Sequence, residues 1–224
     1  MGARRRRARL ASSLLTTVYL IRNAETPWNV ERRLAGRREL GLSESGIVTA
    51  AGLAERFAGI ELDELLASPL PRTVETALPL AAAQGLQVAR DPRLVDWMPG
   101  QWEGLTYAEI AADPRYEPLF HHPLPDGAFP GGERLADVLS RMTASIRQAL
   151  EDNELGSSIA VVSHAGPLRL LLSHYASVAA ADHARLRLEP GSVTVLRFAG
   201  LDAPPVLAAV NTRGRVLDSL PTAR

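Results

Sequence analysis

One stretch decides the fold of this chain: Val18-Tyr-Leu-Ile-Arg-Asn-Ala-Glu-Thr-Pro-Trp-Asn29. It opens with a short apolar run of β-branched and aromatic residues, which predicts a buried strand. The run turns polar at Arg22, so this strand delivers polar side chains to the carboxyl edge of a sheet. In open α/β proteins ligands bind at that edge. The stretch therefore predicts one wall of a binding site.

Two later segments repeat the pattern of an apolar run, a few polar residues and then a helix. They cover residues 66–72, Leu-Ala-Ser-Pro-Leu-Pro-Arg, and residues 162–166, Val-Ser-His-Ala-Gly. If the three strands are parallel neighbours, their carboxyl ends meet at one edge of the sheet. The polar residues expected to converge there are Arg22, Asn23, Arg72 and His164.

This set of side chains predicts an anion site. Arg22 and Arg72 stay charged, and the guanidinium fork matches the oxygens of phosphate or carboxylate. Two guanidiniums and one imidazole would repel each other in a shared pocket unless an anion lay between them. Helix N-termini after the strands add N–H donors. One such strand end alone is more often structural, but three that converge favour a site for phosphate or a similar anion.

The rest of the chain alternates strands with helices. Helices are predicted at about 44–57, 71–85, 106–110, 133–150 and from 165 onward, and further strands at 64–68, 86–89, 158–163, 192–198 and 206–210. This order predicts an α/β fold with three layers, α/β/α, around a mostly parallel sheet. The last two strands are expected to form an antiparallel edge, whose exposed face is a possible contact for a homodimer.

The predicted organisation is a single domain over residues 16–224, preceded by a basic leader at 1–15. A loose, solvated leader is favoured over an arm for nucleic acid or membrane surfaces, and its apolar part is too short for a secretory signal. Residues 113–132 are rich in Pro, His, Gly and aromatic residues, which predicts a lid-like insertion. No transmembrane span is predicted, and we expect a cytoplasmic protein.

Composition excludes several kinds of chemistry. The 224 residues carry a formal net charge of zero, so no global field favours nucleic acid or an acidic surface as a partner. The chain has no cysteine, which excludes disulfides, thiolate catalysis and cysteine-based metal sites. Its five histidines show no spacing typical of metal ligands, even at the adjacent pair His121 and His122. We expect no metal and no cofactor.

The motifs resemble those of the histidine phosphatase superfamily, the phosphoglycerate mutase-like family. Residues 18–29 resemble its Arg-His-Gly/Ala-Glu-Thr signature, and 67–77 resemble its second arginine motif. Residues 94–104 resemble the segment that carries its acid, 130–133 the start of its long helix, and 161–166 its second histidine motif. The resemblance runs in order through nearly the whole chain and implies a phosphoglycerate mutase-like fold.

The resemblance also implies roles. In that family a histidine attacks phosphorus, two arginines and a second histidine hold the phosphoryl oxygens, and a carboxylic acid protonates the leaving oxygen. It places Asp96 as the proton donor and Asn23 at the position of the nucleophile. It implies a small phosphorylated substrate, or inorganic phosphate, and no metal. The phosphate-binding residues that it implies are Arg22, Asn29, Arg72 and His164.

Asn23 is the main departure from the family pattern. The lone pair of an amide nitrogen is delocalised into the carbonyl, so Asn is a poor nucleophile. Three explanations stay open: a change introduced to trap a substrate, a natural binding or regulatory protein, or an enzyme in which Asp96 and His164 perform other acid–base chemistry. His121 or His122 as a replacement nucleophile is disfavoured, because nothing nearby is placed to activate either ring.

The aromatic residues near the predicted site have two interpretations. They either form an apolar wall for the non-phosphate end of a substrate or pack the insertion onto the domain, and the second is at least as well supported. These residues are Trp97, Trp102, Tyr116, Phe120 and Phe129.

Overall fold

A computed structural model describes residues 15–115, 127–176 and 186–220. Its strands are β1 (Thr16–Arg22), β2 (Glu64–Ala67), β3 (Ala89–Arg90), β4 (Ser158–Ser163), β5 (Val193–Phe198) and β6 (Val206–Thr212). Its α-helices are α1 (Pro27–Val30), α2 (Glu44–Ala51), α3 (Leu53–Arg56), α4 (Pro71–Gln84), α5 (Tyr107–Ala111), α6 (Leu135–Asp152) and α7 (Ala165–Tyr175). Short 3₁₀ turns lie at Pro92–Leu94, Gly100–Trp102 and Leu217–Ser219.

The six strands form one sheet in the order β3-β2-β4-β1-β5-β6. The first four are mutually parallel, whereas β5 runs antiparallel to both of its neighbours, β1 and β6. The predicted mostly parallel sheet is therefore confirmed, and β6 is an edge strand among the described residues. β6 exposes Val206 and Val210, so a homodimer contact at this edge stays a prediction.

Strand β1 shows why the architecture has three layers. Its side chains alternate between two apolar cores, with Val18 and Leu20 on one face and Tyr19 and Ile21 on the other. Helices α6 and α7 cover the first face, and α3 and α4 cover the second. Burial on both faces explains the unbroken apolar run in the sequence.

Local details differ from the sequence predictions. Gly52 divides the predicted helix at 44–57 into α2 and α3. The strand predicted at 86–89 is wrong in its bounds: β3 covers only Ala89–Arg90, which pair with Leu66 and Ala67 at the end of β2. Leu86 and Val88 pack against the core but lie before this pairing. Helix α1 was not predicted, and a capping box between Thr26 and Asn29 stabilises it.

Several expectations fall partly or wholly on residues that are not described. Most of the leader and the central part of the insertion, residues 116–126 with His121, His122, Tyr116 and Phe120, lie outside the described ranges. The division of the chain into leader, domain and insertion stays a prediction. Over the ranges 15–115, 127–176 and 186–220, no helix has the length and apolar character needed to cross a membrane.

Candidate active site

Three parallel strands deliver the candidate site residues. β4 lies between β1 and β2, with Arg22 in register with Ser163. The Asn23 N–H then donates to the Ser163 carbonyl over 2.8 Å, which continues the ladder past the end of β1. His164 follows β4 as the residue before α7, and Arg72 lies in the first turn of α4 after β2. The expected convergence at the carboxyl edge is what the structure shows.

A small cavity of about 70 Å³ lies at this edge. It is lined by all six residues that the sequence singled out, namely Arg22, Asn23, Asn29, Arg72, Asp96 and His164. A larger cavity of about 550 Å³ lies elsewhere, between the ends of α6 and α7 and the turn before β6. The larger one contains none of the predicted site residues.

Arg72 is the central contact of the site. Its guanidinium is 2% exposed, and it donates from Nε to Nδ1 of His164 over 3.1 Å and from Nη2 to Oδ2 of Asp96 over 3.1 Å. It also donates to the carbonyls of Arg38 and Gly36 over 2.8 and 2.6 Å. Burial lowers the pKa of Arg72, but a guanidinium stays charged at neutral pH.

His164 is buried and neutral. Burial lowers its pKa well below the usual value, and the charges of Arg72, Arg141 and Arg22 act in the same direction. Nδ1 accepts from Arg72, and Nε2 lies 2.8 Å from the hydroxyl of Ser68. Both ring nitrogens therefore bond to protein side chains.

Asp96 is a buried carboxyl in the wall of the cavity. Its side chain accepts from the Trp97 N–H over 3.0 Å as well as from Arg72. Burial raises the pKa of the Asp96 carboxyl to about 6, although the charge of Arg72 opposes this shift. A carboxyl with that pKa is partly protonated near neutral pH, which suits general acid catalysis.

Arg22 differs from Arg72 in how few of its donors are used. Its Nη1 donates to the Leu188 carbonyl, but its Nε is buried and has no partner among the described residues. Burial lowers the pKa of Arg22, and the nearby charge of Arg169 adds to this effect. A buried donor without an acceptor is unfavourable, so this guanidinium is suited to an anion in the cavity.

The two asparagines have different surroundings. Asn23 is 5% exposed, and its Nδ2 donates to the Ala24 carbonyl over 2.8 Å. Asn29 uses Oδ1 to accept from the backbone N–H and hydroxyl of Thr26, over 2.9 and 3.1 Å. Asn29 is thus a capping residue of α1 that also lines the cavity.

Sequence reasoning missed several lining residues, among them Arg33, Tyr107 and Arg169. Arg169 lies on α7, where its Nε donates to the Leu186 carbonyl over 2.9 Å. Helical spacing could have indicated Arg169. It lies four residues after Ala165 of the 162–166 motif and therefore shares a face of α7 with it. Of the predicted aromatic wall, Trp97 lines the cavity, whereas Trp102 and Phe129 pack in the core.

Known proteins share both sequence and fold with this chain. The family model of the histidine phosphatase superfamily (branch 1) matches residues 18–211. The chain belongs to the histidine phosphatase superfamily. Its fold is accordingly the phosphoglycerate mutase-like fold that the motifs implied. Among residues 15–115, 127–176 and 186–220, no cluster of three or more histidines and acids that could hold a metal ion was found.

Relatives match this superfamily member over different shares of their own length. Over 189 residues it is 35% identical to the bifunctional protein Rv2228c of Mycobacterium tuberculosis. This match covers 82% of the chain but only 50% of that protein. The chain therefore spans about half the length of that relative. It is 34% identical to a probable phosphoglycerate mutase, GpmB of Proteus mirabilis, over 79% of the chain and 82% of the relative.

A solved structure also matches the fold of this chain. The mycobacterial glucosyl-3-phosphoglycerate phosphatase Rv2419c, in complex with vanadate (VO₃), superposes with a TM-score of 0.72 at 28% identity. That match covers 80% of this histidine phosphatase superfamily chain and 92% of the other.

Proposed function

We propose that the cavity binds the phosphoryl group of a small phosphorylated metabolite, or inorganic phosphate, and that the chain is a histidine phosphatase-type enzyme with Asn23 at the position of the nucleophile. The observation that carries the proposal is Arg22, which lines the cavity and whose buried Nε has no partner among the described residues. A phosphoryl oxygen would satisfy this donor with a charge-assisted hydrogen bond.

The charges around the cavity support an anionic ligand. Among the described residues, four arginines and one acid line the cavity, namely Arg22, Arg33, Arg72, Arg169 and Asp96. Glu189 lies close enough to raise the pKa of Arg22, but it is not in the lining. Since His164 is neutral, positive charge exceeds negative charge at the cavity. A phosphate dianion fits this excess.

The proposed chemistry is the hydrolysis of a phosphate monoester. The bond between phosphorus and the leaving oxygen breaks, and Asp96 gives its proton to that oxygen, which leaves as an alcohol. In the family a histidine supplies the attacking lone pair, whereas the nitrogen lone pair of the Asn23 amide is delocalised and makes a poor nucleophile. Water then has to attack directly, and unassisted hydrolysis of phosphate monoesters is extremely slow. We therefore expect binding with little or no turnover.

A second function, non-catalytic binding of a phosphorylated ligand, is favoured by one observation. The amide of Asn23 is held by the Ala24 carbonyl, and the described residues that line the cavity include no thiol, amine or second imidazole to replace a nucleophile. In that case Arg22, Arg72 and Asn29 would recognise the phosphoryl group, and Asp96 would have no acid role.

The Asn23→His variant tests the enzyme proposal. Wild-type protein, Asn23→His and Asn23→Gln are titrated with vanadate and phosphate by calorimetry and assayed on phosphate esters that include 3-phosphoglycerate. We expect all three proteins to bind vanadate and only Asn23→His to gain hydrolysis and to form a phosphoenzyme. Asn23→Gln is the matched control, since it keeps an amide.

The outcomes separate the two functions. Binding by every protein without any gain in Asn23→His would favour the non-catalytic function. Turnover by wild-type protein that Asp96→Asn abolishes would point to different acid–base chemistry with Asn23 in place. Absence of vanadate and phosphate binding in all three folded proteins would contradict the phosphoryl site itself.

A further inference from the structure

Ser68 and His164 form a buried pair behind the cavity. The Ser68 hydroxyl lies 2.8 Å from Nε2 of His164, and the two side chains are 0% and 1% exposed. Ser68 is not among the residues that line the cavity, so it does not touch a ligand there. We propose that Ser68 is a positioning residue that holds the ring orientation of His164 and so, together with Arg72, its tautomer, and through His164 the guanidinium of Arg72.

The hydrogen-bond donors decide where the imidazole proton lies. Arg72 Nε carries a hydrogen at neutral pH, and it points at Nδ1 of His164 over 3.1 Å. Nδ1 must therefore be the unprotonated, accepting nitrogen. A neutral imidazole has one N–H, which places the proton on Nε2, facing Ser68. The opposite tautomer would put two N–H groups against each other at Arg72.

The Ser68 hydroxyl oxygen is well placed to accept that proton. It also accepts the Leu70 N–H over 3.3 Å, so two donors point at the same oxygen. The Ser68 backbone is itself fixed, because its N–H donates to the Val162 carbonyl over 3.0 Å. The sheet between β2 and β4 thus holds the acceptor in place beside His164.

The bonds continue from His164 to the acid. Ser68 contacts His164 over 2.8 Å, His164 contacts Arg72 over 3.1 Å, and Arg72 contacts Asp96 over 3.1 Å. If the ring of His164 turned, Arg72 would lose the acceptor of its Nε. Ser68 therefore influences both the guanidinium and Asp96 without lining the cavity. Only its effect on ligand binding rests on the proposed phosphoryl site, since the tautomer of His164 is a property of the protein alone.

Nitrogen NMR tests the tautomer directly. Long-range ¹H–¹⁵N spectra of labelled wild-type protein, with the His164 signals assigned by their loss in His164→Gln, should show a protonated Nε2 and an unprotonated Nδ1. In Ser68→Ala the acceptor of the Nε2 proton is gone and the ring can turn away from Arg72. Because Arg72 then no longer fixes the tautomer, we expect intermediate shifts at both nitrogens. Vanadate binding should weaken about tenfold, the effect of one lost hydrogen bond. Ser68→Thr keeps the hydroxyl and should restore both readouts.

Ser173→Ala is the matched control. Ser173 is also buried, but its hydroxyl has no described partner, so this variant should keep the wild-type tautomer and vanadate affinity. A protonated Nδ1 in wild-type protein would overturn the proposal even if Ser68→Ala failed to fold. An unchanged His164 spectrum in folded Ser68→Ala would also overturn it. If wild-type protein binds no vanadate, the proposed function fails, and the spectra still decide the role of Ser68.

Discussion

The Asp96 carboxylate accepts a hydrogen bond from Arg72 over 3.1 Å, and yet burial raises its pKa to about 6. Desolvation of the charged form thus exceeds the attraction of the guanidinium. Arg72 shows the same balance, since burial lowers its pKa although Asp96 opposes the shift. The pair costs the folded protein stability at neutral pH, and in return it provides a carboxyl that can hold a proton there.

The Asp96→Asn variant tests this cost through its pH dependence. The folded pKa of Asp96 lies above the value of 3.8 for the unfolded chain. Protonated Asp96 therefore stabilises the fold most below about pH 4, and this contribution is lost as the pH rises through about 6. Asn cannot ionise, so Asp96→Asn should gain stability relative to wild type over this range, by up to about 3 kcal/mol. Urea unfolding at several pH values measures the difference, and a constant difference would contradict the raised pKa.

Arg22→Met tests whether the guanidinium of Arg22 binds the ligand. Met has a similar length, and it removes both the Nε that has no partner in the described ranges and the charge near Arg169. It also removes the bond to the Leu188 carbonyl, so the net gain in the free energy of unfolding should be only about 1 kcal/mol. Vanadate affinity should fall at least about 100-fold, because a charge-assisted contact is lost. Lower stability together with unchanged affinity would contradict the role of Arg22.

The sequence was informative where the chemistry follows a strand end. Apolar runs that stop at Arg22 and His164 predicted both the sheet and the convergence of the side chains, since parallel strands align their carboxyl ends. Ser68 lay inside a quoted motif, but its contact with His164 depends on side-chain directions that residue spacing does not give.

Other features had no local signature. The prediction placed the short strand β3 too early, because Leu86 and Val88 are residue types common in strands. They pack against the core, but pairing with β2 begins only at Ala89 and Arg90. The sequence did not predict the contacts of Arg141, because its partners include backbone carbonyls, one of them 45 residues away at Asp96. Any residue type can supply a carbonyl, so no sequence pattern marks such a contact.

Arg141→Met tests how the loop that carries Asp96 is held. Arg141 donates to the carbonyls of Arg93, Val95 and Asp96 over 2.7, 2.6 and 3.1 Å and pairs with Glu133 over 2.9 Å. Its loss removes a donor from each of these carbonyls and leaves the largely buried Glu133 carboxylate with only Arg37 and the Met98 N–H as described partners. We expect the free energy of unfolding to fall by about 2–4 kcal/mol in urea unfolding. In the Asn23→His background, kcat should fall more than KM changes, since the acid is displaced.

Arg147→Met on the same helix is the control for Arg141→Met. Among the described residues Arg147 pairs with Glu151 alone, over 3.0 Å at the surface, where its side chain is 58% exposed. An exposed pair of this kind contributes little, so the free energy of unfolding should change by less than about 0.5 kcal/mol. Equal effects of the two substitutions would show that Arg141 does not hold the Asp96 loop.

Gly166→Ala tests the contact between α7 and the Asp96 loop. A Cβ at Gly166 would lie 2.6 Å from ring atoms of Trp97, which is a rigid side chain. The backbone N–H of the same residue donates to the Asp96 carboxylate. Alanine favours a helix over glycine by about 1 kcal/mol, but the clash should outweigh this and lower the free energy of unfolding by about 1–3 kcal/mol. Vanadate binding should weaken as Trp97 moves Asp96, and tryptophan fluorescence should shift. Gly214→Ala, where nothing lies within 4 Å of the added Cβ, should leave all three measurements unchanged. If Gly166→Ala matches that control, Trp97 does not link α7 to the acid.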